Sequence, residues 1–235
     1  MNNRNKNYIF YLFLFILILY LGMEILIPLY VEKQVERELT NHFDDYDNIE
    51  VEVNSFPPWE LLFSMADRVK IKADLLNYEG IVLKDIAAYY QNIIIDDGEI
   101  RGKNTDLFIK VTEDDLNNYI QDNYSGLDNF DIHLEEDNAF MKGYINILDR
   151  KINLRIDGKF EIREPEEIVF LPQNVKIENL TISKDVIDNF IKDSGYVFDL
   201  SQLNFPVRVD NIILKKNELY LISGIFAERA GLNEK

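Results

Sequence analysis

The sequence predicts an α+β fold: a strongly curved antiparallel sheet wrapped around amphipathic helices and preceded by one N-terminal transmembrane helix. Three observations lead there. From Tyr8 to Ile27 about 20 residues carry no charge except Glu24, enough at 1.5 Å per residue to cross a hydrocarbon core of about 30 Å. Further along, several segments alternate apolar and charged residues with a period of two, the mark of strands wet on one face. Two more segments carry apolar residues at helical spacing behind a hydroxyl residue suited to capping.

The first element is the anchor. A cleaved signal peptide would have a shorter apolar run and a small-residue cleavage site, and Gly22-Met23-Glu24-Ile25-Leu26 offers none. Residues 1–7 form a short tail in which Arg4 and Lys6 favour a cytoplasmic N-terminus, placing the rest of the chain outside the cytoplasm. Pro28 is expected to bend or end the spanning helix. A second, amphipathic helix then follows, because Val31, Val35, Leu39 and Phe43 recur every four residues among Glu32, Lys33, Glu36, Arg37 and Glu38. Its polar face is not basic, so it covers the core rather than lying on a membrane.

Beyond Phe43 the period becomes two. Ile49, Val51 and Val53 alternate with Glu50 and Glu52, and Val69, Ile71 and Ala73 with Lys70 and Lys72. Ile152, Leu154, Ile156, Phe160 and Ile162 continue the pattern, with Gly158 in register on the apolar side, which suggests a curved strand. Shorter pieces run over 107–111, 130–134, 141–147 and 207–209, separated by turn chemistry at Asp97-Gly98, Gly126, Glu135 to Asn138 and Lys216-Asn217. One-sided alternation argues for antiparallel pairing.

The helices that would cover the apolar face start at Thr112, with Leu116, Tyr119 and Ile120 on one side, and at Ser183, with Ile187, Phe190 and Ile191. Thr112, Asp114, Asn118 and Asp122 answer to Ser183, Asp185, Asn189 and Asp193, which reads either as a weak internal repeat or as coincidence. The domain is expected to run over 28–226, with a polar C-terminal tail over 227–235. A sheet wrapped around helices that do not fill the trough leaves a long apolar tunnel, suited to an acyl chain.

The formal charge of −17 repels phosphate backbones, and no basic stripe with interleaved aromatics stands out, so nucleic acid is not an expected partner. The same charge opposes adhesion to anionic headgroups, so any lipid should be held mainly through its acyl chains. With no cysteine there is no disulfide, thiolate ligand or cysteine nucleophile. His42 and His133 are the only histidines, and neither has a second ligand at a metal-like spacing. Asp96-Asp97-Gly98-Glu99 reads as a hairpin turn rather than a calcium loop, since the full loop pattern is missing. No nucleophile elbow, phosphate-cradling loop, zinc helix or dinucleotide fingerprint occurs. The chain is therefore not expected to be an enzyme, and no catalytic residue, metal or cofactor is assigned.

The sharpest local feature is Ser55-Phe56-Pro57-Pro58-Trp59-Glu60-Leu61-Leu62-Phe63. Its two prolines bar a regular strand and lead into a short apolar helix carrying the only tryptophan. As structure, it is a rigid turn whose aromatics plug one end of the core. As function, it places Phe56, Trp59, Leu62 and Phe63 at the mouth of a lipid tunnel or against the bilayer.

That segment, with Tyr46-Asp47-Asn48-Ile49-Glu50-Val51 before it and Ala66-Asp67-Arg68-Val69 after it, resembles the LmeA-like family of phospholipid-binding proteins. The likeness continues in Arg101-Gly102-Lys103-Asn104-Thr105-Asp106-Leu107, Val111-Thr112-Glu113-Asp114-Asp115-Leu116-Asn117, Asp199-Leu200-Ser201 and Phe205-Pro206-Val207, and covers most of the chain beyond the anchor. It implies a bacterial envelope protein with a fold similar to the tubular lipid-binding proteins and with membrane phospholipid as partner. The expected function is thus that of a membrane-anchored extracytoplasmic lipid-handling protein. Its candidate lipid-binding residues are Phe56, Trp59, Leu62, Phe63, Leu116, Tyr119, Ile187 and Phe190. The alternative is a non-enzymatic envelope scaffold with a solid core and an acidic face that recruits a protein whose identity the sequence does not give.

Overall fold

The computed structural model describes residues 3–97, 99–102, 104–124, 127–147, 150–177, 180–182, 196–201, 203 and 205–229. It is an α+β structure with an N-terminal apolar helix and antiparallel sheets. Helix α1 (Asn3–His42) runs through Pro28 without a break, so the two helices expected on either side of the proline are one. Proline removes a single hydrogen bond to the fourth residue before it. The part beyond it is held by tertiary packing: Val31, Val35 and Leu39, followed by Phe43, are buried against the domain, and Glu32 Oε1 accepts the Val53 N–H at 3.0 Å.

Two sheets follow where the sequence suggested one. The first is eight-stranded. It contains β1 (Asp45–Asp47), β2 (Glu50–Asn54), β3 (Met65–Tyr78), β4 (Ile81–Asp96), β5 (Glu99–Arg101), β6 (Asn104–Thr112), β13 (Asn211–Lys215) and β14 (Glu218–Ser223). Its order is β1-β3-β4-β6-β14-β13, with β2 also on β3 and β5 on β4. The second is six-stranded, in the order β11-β10-β9-β8-β7 with β12 on β10. Its strands are β7 (Phe130–Glu135), β8 (Asn138–Ile147), β9 (Arg150–Glu164), β10 (Glu167–Ile177), β11 (Leu180–Ile182) and β12 (Tyr196–Asp199). Neither sheet closes on itself.

Helix α2 (Glu113–Asn123) joins the sheets. Thr112 caps it as expected, its side chain accepting the Asp115 N–H at 3.3 Å. Leu116 and Ile120 are buried. Its polar side chains serve β7, the edge strand of the second sheet: Asn117 Oδ1 accepts the Ile132 N–H at 2.6 Å and Glu113 Oε2 accepts the Leu134 N–H at 2.6 Å. Edge groups that would otherwise need water or another chain are thereby satisfied. The β13–β14 turn adds a second tie, with the Asn217 N–H donating to the Leu134 carbonyl at 3.1 Å. A short helix α3 (Ile225–Arg229) closes the described chain.

The alternation seen over 207–209 does not make a strand. Val207 and Val209 are buried and Arg208 is exposed, as in a strand, but the segment is an extended connection. It is fixed by the Val209 N–H on the Pro165 carbonyl (2.7 Å) and by the buried Tyr90 hydroxyl, which donates to the Pro206 carbonyl (2.8 Å). Period-two burial needs only extended backbone.

Gly158, on the apolar side of β9, makes room for a ring. A Cβ there would lie 2.4 Å from Phe170 Cζ and 2.7 Å from the Leu171 carbonyl oxygen, and the β9–β10 register shifts beside it between Pro172 and Asn174. Gly158→Ala is expected to destabilise the domain by roughly 1–3 kcal/mol, measured by chemical denaturation, because both β10 and the Phe170 ring must move.

Candidate membrane and lipid interface

The proline segment folds as a 3₁₀ turn, Pro58–Phe63, after a cis Phe56–Pro57 peptide. Pro58 and Leu61 point inward and are buried. The turn is closed by Ser64 in the left-handed region (φ 62°), whose carbonyl accepts the Ile95 N–H at 2.7 Å, while the Phe56 N–H donates to Asp67 Oδ2 at 2.8 Å. A backbone clamped at both ends leaves the remaining side chains facing outward. Phe56 is 74% exposed, Phe63 70% and Leu62 63%, with Trp59 at 43%. Met65 and Ile94, paired across β3 and β4 beside the turn, are exposed as well. The core-plug reading of these aromatics does not hold, since the plug is made by Pro58 and Leu61. A cluster of this kind is costly in water and marks a surface that meets something apolar.

What it adjoins is α1. The Trp59 ring meets the Tyr20 ring edge-on, with centroids 6.1 Å apart. Tyr20, Gly22, Met23, Ile27 and Pro28 are the partly shielded positions of the helix here, whereas Tyr8 to Leu19 are exposed. By length and composition α1 is able to cross a membrane. The exposed aromatics therefore flank the membrane-competent helix at the level where it enters the domain. Tyr20, Met65 and Ile94 belong to this surface and were not singled out by sequence; the three consecutive isoleucines 93–95 were the available signal.

Leu116 and Tyr119 lie elsewhere. Leu116 is buried at the start of β4, where it borders a small all-apolar gap with Ile81, Val111, Ile168, Leu200 and Leu221. Tyr119 is half-buried beside Tyr124, ring centroids 6.4 Å apart, and burial raises its phenol above the usual range. From Ile81 to Ile94 the strand covers about 40 Å at ~3.3 Å per residue, so these two residues and the aromatic turn sit at opposite ends of the sheet. Ile187 and Phe190, with the helix expected after Ser183, lie outside the described residues.

The histidines have structural surroundings. His42 stacks on Tyr78 with ring centroids 5.0 Å apart, and His133 Nδ1 lies 3.2 Å from Glu113 Oε1. Among the described residues no three His, Asp or Glu side chains are grouped as metal ligands would be.

No curated protein and no solved structure matches the chain. The family model described as LmeA-like phospholipid-binding matches residues 22–222, which takes in the end of the apolar helix, the aromatic turn and both sheets. The chain belongs to the LmeA-like phospholipid-binding family.

Proposed function

We propose that this chain is a single-pass, non-enzymatic membrane protein of the bacterial envelope. Residues 8–27 cross the bilayer, the domain over 28–226 lies outside the cytoplasm, and phospholipid acyl chains are taken up through the aromatic turn. One observation carries the reading: Phe56, Trp59, Leu62 and Phe63 are exposed on the flank of the spanning helix. If the span ends at Ile27, Tyr20 lies about 10 Å inside that end at 1.5 Å per residue. The turn packed on Tyr20 is then immersed to that depth, among the acyl chains, where Phe and Leu are favoured.

The apolar gap between the two sheets, where Leu116, Ile168 and Leu200 face one another, lies about 40 Å away at the other end of β4, so lipid entering at the turn gets there only by moving along the interface between the sheets. The described interior is closely filled around that gap, so uptake requires the two sheets to part. That neither sheet closes on itself supports such a movement.

The test is photolabelling of the full chain in liposomes containing a phospholipid with a photoactivatable acyl chain. Adducts on the segment 56–63 and on residues bordering the inter-sheet gap are expected. A scaffold with a solid core would give adducts on residues 8–27 alone.

A further inference from the structure

The cross-strand register of the second sheet builds a cationic row. Asp131 on β7 faces Lys142 on β8, Lys142 faces Arg155 on β9, and Arg155 faces Lys176 on β10. Lys142, Arg155 and Lys176 are thus direct neighbours on the face away from Ile132, Met141, Ile156 and Val175. Like charges directly opposite one another destabilise a sheet. Here they occur three abreast in a chain whose net charge is −17.

The row is organised rather than loose. Phe140, 3% exposed, forms its floor, with the Arg155 guanidinium 3.6 Å from the ring centroid and Lys142 Nζ 4.9 Å from it. Asp157 ties two of the cations, 2.6 Å from both Arg155 Nε and Lys176 Nζ. Burial pushes the Asp157 carboxyl up, but hydrogen bonds from Lys176 and Arg155 outweigh it and hold it below the usual carboxylate range. One turn of the pleat further on, Lys151 Nζ lies over the Tyr144 ring at 3.5 Å. Among the described residues neither Lys142 nor Lys151 has an ion-pair partner. Lys142, Arg155 and Lys176, with Lys151 and Tyr144, border an open cleft of about 630 Å³, lined in part by Gly143. A Cβ at Gly143 would lie 2.3 Å from the Asn129 carbonyl oxygen.

Four cations and Asp131 border this cleft, and even with Asp157 paired to two of the cations an excess of positive charge remains on a strongly acidic protein. Arg155 keeps unused guanidinium N–H groups, and Lys142 and Lys151 keep free ammonium protons. A convergent guanidinium and several ammonium groups suit a phosphate group better than a single carboxylate. We propose that this cleft is a phosphate-binding site, taking either the headgroup of an anionic phospholipid or a free phosphate ester. The headgroup arm rests on the lipid-handling reading above; the phosphate chemistry does not.

The test uses the full chain in neutral-detergent micelles, alone or doped with phosphatidylglycerol, against soluble glycerol 3-phosphate, with calorimetry as readout. The comparison is Lys142→Gln with Lys151→Gln and Lys176→Gln. Heat from both probes, weakened about tenfold or more in the variant, establishes a general phosphate site. Heat from doped micelles alone, weakened equally, assigns the site to headgroups. The variant should still fold cooperatively, checked by circular dichroism on heating, since Arg155 continues to pair with Asp157 and the like-charge opposition is relieved. No heat from either probe, or heat unchanged in the variant, overturns the proposal. Acyl-chain photolabelling of segment 56–63 persisting in the variant separates failure of this site from failure of the lipid-handling reading.

Discussion

Trp59→Asp combined with Phe63→Asp is expected to remove acyl-chain photolabelling from the domain while leaving labelling of residues 8–27 intact. An aspartate in hydrocarbon costs about 2.5–3.5 kcal/mol, and two would weigh against immersion by roughly 5 kcal/mol. Partial snorkelling could halve that, and the immersed population would still fall by well over tenfold. The fold should be spared, because Phe63 is 70% exposed and Trp59 43%, and exposed substitutions usually change stability by about 0.5 kcal/mol or less. The anchor supplies the internal reference: its adducts hold the chain in the bilayer in both proteins. Unchanged labelling of the domain would remove the aromatic turn from the path of the lipid.

The second large effect concerns how the anchor is joined to the domain. Val35 is 0% exposed, on the part of α1 that packs against β2. Val35→Asp buries a charge within the hydrophobic cluster, and unpaired buried charges cost roughly 3–5 kcal/mol. Urea unfolding of the full chain in detergent should show a transition lost or shifted by that amount. Glu36→Ala, one residue on and exposed, should leave it unchanged. Equal behaviour of the two variants would mean that α1 is not seated on the domain.

Much of the fold was legible because it depends on local periodicity. The N-terminal apolar helix, the Val31-Val35-Leu39-Phe43 stripe, the Thr112 cap and the hairpin turns at Glu135–Asn138 and Lys216-Asn217 all appear where the sequence placed them. Strand β4 was missed because its pattern is interrupted. Asp85 and Asn92 adopt positive φ and the β4–β6 register shifts between Lys84 and Ala87, so one alternation does not run the length of the strand. Strand β10 was missed for a related reason, with Pro172 and a register shift inside it. That Pro28 would not interrupt α1 depends on packing beyond the proline, which no helical propensity reports.

The candidate site divides along the same line. The aromatic turn was visible as a short composition, but its exposure was not, because which of Pro58, Trp59, Leu61 and Phe63 turn inward is set by a clamp to β4 and Asp67. Leu116 and Phe63 looked like members of one lining, yet lie at opposite ends of the sheet. The cationic row could not be read at all. Lys142, Arg155 and Lys176 are separated in sequence and none belongs to a basic run; only the register of β8, β9 and β10 brings them together. The expectation that lipid is held mainly through its acyl chains followed from net charge, which says nothing about where the charges lie.

Trp59 is the only tryptophan, and it stands in the surface on which the functional reading depends. The most direct measurement is therefore its fluorescence in the full chain reconstituted into liposomes whose phospholipids carry bromine at defined depths along the acyl chain. Blue-shifted emission quenched most strongly by bromine about 10 Å below the interface, and protected from aqueous iodide, is the expected result. Emission at the position of a water-exposed indole, quenched by iodide and indifferent to brominated lipid, would contradict immersion of the turn and with it the proposed path of lipid into the domain.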